Sequence, residues 1–413
     1  MRSGSPLPVL LSGAPAERAS GPVSGQMRRG GSQRVRAVRP CGDPPIRWAL
    51  MSGVRATSFD ETEHPRGQPD NPGKFRSKTL PAPPKARPRK RRDGHDGGSE
   101  RERTHVGVSP ARPAFSGDFT EANFSDADLA GADFSGTNLK KANLAGASPA
   151  GADFAGADLT EADCTGANFA GADLEGANLT GAKFSGADLS GANLAGADCS
   201  GADFTGAKLP EANFLEAKLT KAKLVHTKLP EAILAGADCT GAEFTEADLK
   251  GARLPGAIFQ WAMLPGAVLD GANLSRTVFE GALLAEASAV GANFARADVA
   301  AADFSGAKLA GANFTKANAL DARFPNADLA ETVFEAADCT NAKFENANLK
   351  EADFAGAGLE GADLTKANLT GACLADADFT DAKLLGAILD DADPTGANLH
   401  DADLTGAKVD LMH

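Results

Sequence analysis

Apolar and polar positions recur along this chain with a period of five. From Gly151 to Phe184 it runs GADFAGADLTEADCTGANFAGADLEGANLTGAKF. Each unit is a small residue, then Asp or Asn, then a bulky apolar residue, then two polar or glycine positions. The bulky slot falls at every number ending in 4 or 9, from Phe119 to Val409, through 59 consecutive units without insertion or deletion. The slot two places earlier is Ala in 54 of them, the exceptions being Gly117, Thr137, Thr227, Thr277 and Thr332. A phase held for so long makes the repeat itself the fold.

Period five suits neither common element. On an α-helix five residues advance 500°, so the bulky residue drifts by about 140° per unit and never makes a face. On a flat strand an odd period sends successive bulky residues to opposite sides. A chain that turns a corner every five residues resolves both conflicts. Its short extended pieces point the small and bulky residues inward, and Asp/Asn, Ser/Thr and Gly outward. Glycine holds the second position after the bulky residue in about half the units, with Glu, Asp, Lys and Asn in most others. The corner is therefore expected to welcome glycine without a positive φ at every turn.

These units resemble the pentapeptide-repeat family over residues 117–409. The resemblance implies an all-β fold, a right-handed quadrilateral β-helix with four units per coil and about 15 coils, which is about 70 Å long at the ~4.8 Å spacing of neighbouring strands. Sorting the bulky slot by a period of 20 supports four units per coil. One column, from Leu129 on, holds 11 Leu and a single Phe, Phe169, while its two flanking columns hold seven Phe each. Phe294, Phe314, Phe334 and Phe354 fall in one column, facing Phe304, Phe324 and Phe344 across the coil; between them stand the smaller Val299, Ala319 and Cys339. Such volume compensation is what close packing requires.

Charge separates residues 1–114 from residues 115–413. The first stretch has 22 Lys+Arg against 10 Asp+Glu, a balance of +12; the second has 20 against 45, a balance of −25, and together they give −13. Residues 1–114 are expected to be a disordered basic tail, rich in Pro, Gly and Arg. Within it Lys85, Arg87, Arg89, Lys90, Arg91 and Arg92 form a basic cluster, whose readings are a solvated linker or a nuclear, nucleic-acid or membrane contact. The first 42 residues hold seven Arg and one acid, Glu17. That composition fits an organelle transit peptide, or a leader ahead of a start at Met27 or Met51. Cytoplasmic placement is the first expectation and organelle targeting the alternative. No apolar run is long enough to span a membrane.

Candidate chemistry is sparse. Cys164, Cys199, Cys239 and Cys339 fill inward bulky slots, each followed five residues later by Phe, which is a packing arrangement. Cys199 and Cys239 lie two coils apart, about 9.6 Å by the strand spacing, too far for a disulfide. Cys373 replaces an outward Asp or Asn, and Cys41 lies in the tail. The histidines show no metal-ligand spacing, and no glycine-rich phosphate loop leads into a helix. The expectation is a protein without catalysis, cofactor or metal.

Departures from the outward pattern carry more information. The slot before the bulky residue becomes Ile258, Met263, Val268, Val278 and Leu283, and Trp261 is also outward, with Gly241 and Gly281 as its column neighbours. These six residues form a candidate partner-binding patch with an aromatic anchor. A basic band follows Lys208, Lys218, Lys221, Lys223, His226 and Lys228, with Glu211, Glu216 and Glu231 expected to neutralise it. Proline takes the inward bulky slot only at Pro149 and Pro394, in the second and last coils, where a lost ladder hydrogen bond costs least. An open final coil suggests a homodimer through the C-terminal end. The leading functional expectation is an interaction scaffold with an unidentified protein partner. The family resemblance implies an alternative, an acidic DNA mimic that binds type II topoisomerase (gyrase) and protects it from inhibitors, with no direct nucleic-acid binding by the rod. A structural protein of an organelle lumen is the third.

Overall fold

The computed structural model describes residues 113–410. The basic tail and its cluster lie outside the described residues, as do residues 411–413. No helix occurs among the described residues, and none is long and apolar enough to cross a membrane. Parallel bridges join the outward slots, all but Ser148, to the residue 20 positions later. They build four walls: Asp118 to Asn398, Asn123 to Asp403, Asp128 to Lys408, and Asp133 to Asp393. The hydrogen bonds alternate in direction. Phe134 donates its N–H to Asp153 carbonyl oxygen in the following coil at 2.7 Å, and Asp153 donates to Ala132 in the preceding coil at 2.8 Å. Four five-residue units separate bridged residues, as the period of 20 requires.

The corners are tighter than the sequence suggests. The amide two residues before each bulky residue donates back to the carbonyl of the previous bulky residue, as Ala122 does to Phe119 at 3.0 Å. The third residue of that four-residue turn has positive φ at every corner from Glu121 to Gly406, glycine or not. This is the type II pattern, and it corrects the expectation that a positive φ is not required at every corner. Glu216 at 54°, Lys221 at 56° and Arg296 at 59° adopt it alongside the glycines. Non-glycine residues take the same corner conformation as the glycines, so tertiary geometry overrides local preference.

Inside, the small and bulky slots are buried without residual exposure along nearly the whole rod. Phe294 stacks on Phe314 with ring centroids 4.5 Å apart and planes 2° apart, and meets Phe304 edge-on at 5.9 Å and 86°. The two phenylalanine columns thus pack across the core as the volumes suggested, around Val299, Ala319 and Cys339. The inward cysteines are fully buried, and burial pushes each thiol well above its ordinary value. Threonine replaces Ala inside because its hydroxyl is satisfied: Thr137, Thr227 and Thr277 donate to the carbonyls of Phe134, Leu224 and Leu274 at 2.6 Å, and Thr332 to Leu309 at 3.0 Å.

Proline and the ends behave in distinct ways. Within the four walls the single missing bridge is Ser148 to Asn168, because Pro149 has no N–H for the Asn168 carbonyl. At the N-terminal end the coil begins one unit earlier than the repeat. Ala114 bridges Asp133 at a step of 19, and the Phe115 ring stacks on Phe134 at 4.3 Å. Phe115, Phe119, Phe124 and Phe134 pack edge-on into an aromatic cluster over that end of the core. At the last described coil the inward slots Leu399, Leu404 and Val409 are exposed.

Outward Asp and Asn tie each wall to its corner. Asp133 accepts the Ser135 N–H at 3.0 Å and its hydroxyl at 2.7 Å, an arrangement repeated along the rod. The hydroxyls of Thr165, Ser190 and Ser200 hold the carboxyls of Asp163, Asp188 and Asp198 below their ordinary value of 3.8. Lowered folded-state values stabilise the rod above the unfolded carboxylate range, and that contribution is lost as pH falls through the folded values. The thermal midpoint should therefore be level near neutral pH and fall below about pH 4; a midpoint unchanged into strong acid contradicts this. Backbone geometry gives a second expectation. A Cβ on Gly176 meets nothing within 4 Å, so Gly176→Ala should cost about 1 kcal/mol through its φ of 62° alone, read from the urea midpoint.

Candidate functional site

The bridges place most of the outward apolar residues around one corner. On the first wall Ile258 pairs with Val278, between Asp238 and Asp298; on the second Met263 pairs with Leu283, between Glu243 and Asp303. The corner joining these walls carries Gln260 and Trp261 in one coil and Glu280 and Gly281 in the next. Trp261 is 59% exposed, Leu283 48%, and Ile258 and Met263 37% each; Val278 is half-buried. Val268 is not brought into this cluster. It stands on the third wall between Asp248 and Ser288, beyond the Pro265–Gly266 corner.

Trp261 occupies the corner slot with a φ of 59°, where it is the only large apolar side chain among the described residues. Its indole leans over the following coil, and a Cβ built on Gly281 would overlap the ring. Gly241, the other column neighbour, is covered instead by Lys221, whose Cγ lies 3.7 Å from a Cβ built there. Side chains in this slot lean toward the next coil, as Glu216 does over Gly236 and Glu246 over Gly266. Glycine at 281 therefore leaves room for the indole over the following coil, where it stays largely exposed.

The family model for pentapeptide repeats matches eight stretches of the chain: residues 118–148, 141–176, 150–186, 172–209, 197–236, 227–260, 264–299 and 372–409. A second model, of the pentapeptide repeat region, matches 297–374. The chain belongs to the pentapeptide-repeat family. Among solved structures it is similar to HetL, a pentapeptide repeat protein involved in heterocyst differentiation regulation from the cyanobacterium Nostoc sp. strain PCC 7120. That match has 30% identity, 65% of this chain and 88% of HetL covered, and a TM-score of 0.24. QnrB1, a plasmid-mediated fluoroquinolone resistance protein, matches at 22% identity over 53% of this chain and 91% of its own, with a TM-score of 0.30. A pentapeptide repeat protein of the Arabidopsis thaliana thylakoid lumen matches at 35% identity over 24% of this chain and 65% of its own, with a TM-score of 0.17. No curated protein matches the chain.

Lapses in the pentapeptide register have a local cost. Where Asp is kept, Asp238 accepts the Thr240 N–H at 3.0 Å and Asp303 that of Ser305 at 2.9 Å. Ile258, Val278 and Leu283 give Gln260, Glu280 and Ala285 no such acceptor; Met263 precedes Pro265, which has no N–H to satisfy. Each lost hydrogen bond is worth about 1 kcal/mol. Gln260 Nε2 donates to Glu280 at 2.8 Å across the two coils, a polar brace beside the indole.

Part of the basic band shares this corner. Lys218, Lys221 and Lys223 occupy the same two walls and the same corner two coils earlier, whereas Lys208 and Lys228 stack on the third wall. The band's partners differ from those expected. Lys208 pairs with Asp188 at 4.0 Å, Lys218 with Asp198 at 3.7 Å and His226 Nδ1 with Glu246 at 3.2 Å. Glu211, Glu216 and Glu231 make no ion pair among the described residues, because the nearest neighbour across a wall or corner is the residue 20 positions away. Such exposed pairs contribute little stability. Cys373 is half-buried on the fourth wall between Asp353 and Asp393.

Gly281→Ala adds a clash with the indole to the strain of its φ. It should destabilise more than Gly176→Ala and, with Trp48 replaced by Phe, shift Trp261 emission. An unchanged emission contradicts the stacked geometry.

Proposed function

We propose that this pentapeptide-repeat chain is a non-catalytic interaction scaffold, a right-handed quadrilateral coil of about 15 turns that presents one protein-binding corner. The observation carrying this reading is the group Ile258, Trp261, Met263, Val278 and Leu283 around a single corner, where outward apolar residues that elsewhere stand singly, such as Leu215, Leu320 and Leu385, come together. A large aromatic at positive φ costs stability, and Trp261 is the only one among the described corners, which argues against neutral drift there. Interfaces concentrate their energy in such central aromatic anchors. We place the chain in the cytoplasm; cleavage of the N-terminal stretch on import into an organelle is the outcome that would relocate it.

One observation favours a second reading, the binding of a type II topoisomerase by DNA mimicry: residues 115–413 carry a net charge of −25. Duplex DNA of about 70 Å carries about 40 charges, so any mimicry here is diluted. The experiment is a capture assay with the full chain at low and high salt. Under the scaffold reading Trp261→Ala loses a partner that the unaltered chain retains at both salt concentrations, because apolar contact resists screening. Under mimicry the chain protects gyrase supercoiling from a quinolone, Trp261→Ala leaves protection intact, and salt abolishes it.

A further inference from the structure

We infer that the Trp261 corner docks a protein segment bearing an arginine or lysine beside apolar side chains. The inference rests on the reading of this corner as a binding site and specifies the chemistry of what it takes. Acidic side chains stand next to the patch along both of its walls, with Lys218 and Lys223 one coil further out. Asp238 and Glu243 border it on the coil before, Asp298 and Asp303 on the coil after, and Glu280 sits at the corner between them. Only Asp303 has a basic partner among the described residues, Arg323 at 3.9 Å. Arg276 and Arg296 stand at the corner leading into the first wall and form no ion pair with these acids. Asp238 takes the Thr240 hydroxyl at 2.6 Å, Asp298 the Asn318 amide at 3.0 Å and Glu280 the Gln260 amide at 2.8 Å; these are neutral donors, so the negative charge persists.

At the centre the repeat sets apolar side chains where its pattern would otherwise put carboxylates. The middle of the site can therefore be dried while its rim stays charged, an arrangement suited to a protein interface. Trp261, with room over Gly281, stays largely exposed. Cations are drawn to an indole face, and a guanidinium also stacks on it. An acidic partner would meet like charge at Asp238, Glu243, Glu280 and Asp298.

The test uses the full chain with Trp48→Phe, which leaves Trp261 as the only tryptophan. Three synthetic peptides share one leucine framework and carry Arg, Gln or Glu at the alternate positions. Binding is read from Trp261 emission and its protection from acrylamide. The Arg peptide should bind about tenfold tighter than the Gln peptide, and the Glu peptide most weakly. Combining Glu243→Gln, Asp298→Asn and Asp303→Asn should bring the Arg and Gln peptides together; Asn is native to this slot elsewhere, and an unchanged thermal midpoint shows that the coil persists. Equal binding of Arg and Gln peptides to the parent chain overturns the cation preference and leaves the binding corner standing. No protection by any peptide overturns both.

Discussion

Every fifth residue of this rod must accept a positive φ. That feature shapes the rest, because a four-walled coil must turn a corner every five residues, and the backbone does so with one hydrogen bond and one left-handed residue per turn. Glycine meets the requirement with least strain, yet Glu, Asp, Lys and Arg meet it too. What holds them there is shared: the wall ladders, the buried Ala and Leu or Phe beneath, and the Asp or Asn that accepts the corner amide. Each is small, and each recurs in register with the next coil, so stability accumulates along the rod.

The same geometry gathers scattered surface lapses into one apolar cluster. Corner side chains lean toward the following coil, so what lies 20 residues later decides whether a large group fits. Trp261 fits because that residue is Gly281. Ile258, Val278, Met263 and Leu283 come together because their walls meet at its corner, and three of the four leave a corner amide without its side-chain acceptor.

Much of this was legible from residue order. The period of five, its grouping in twenties, the facing phenylalanine columns and the packing role of Cys164, Cys199, Cys239 and Cys339 all follow from volumes in phase. The effect of Pro149 follows from its missing N–H. Other features were hidden for physical reasons. Positive φ at Glu216 or Lys221 is imposed by closure, which local composition does not report. Phe115 was missed because the step to Phe119 is four residues, out of phase with the repeat. Linear proximity suggested Glu211 and Glu231 as partners for the lysines, whereas the nearest neighbour in space is 20 positions away. Val268 shared the apolar substitution but not the corner, and the lean of the indole toward Gly281 rather than Gly241 depends on the sense in which the coils ascend.

The central claim is that the Trp261 corner departs from the repeat at a cost to the fold and for the sake of binding. Returning it to the repeat pattern, with Ile258→Asp, Trp261→Gly, Met263→Asp, Val278→Asn and Leu283→Asp in one chain, tests this most directly when unfolding and partner capture are measured together. The account predicts a thermal midpoint at or above that of the unaltered chain, with capture lost. A lowered midpoint, or capture that survives the reversion, would contradict it.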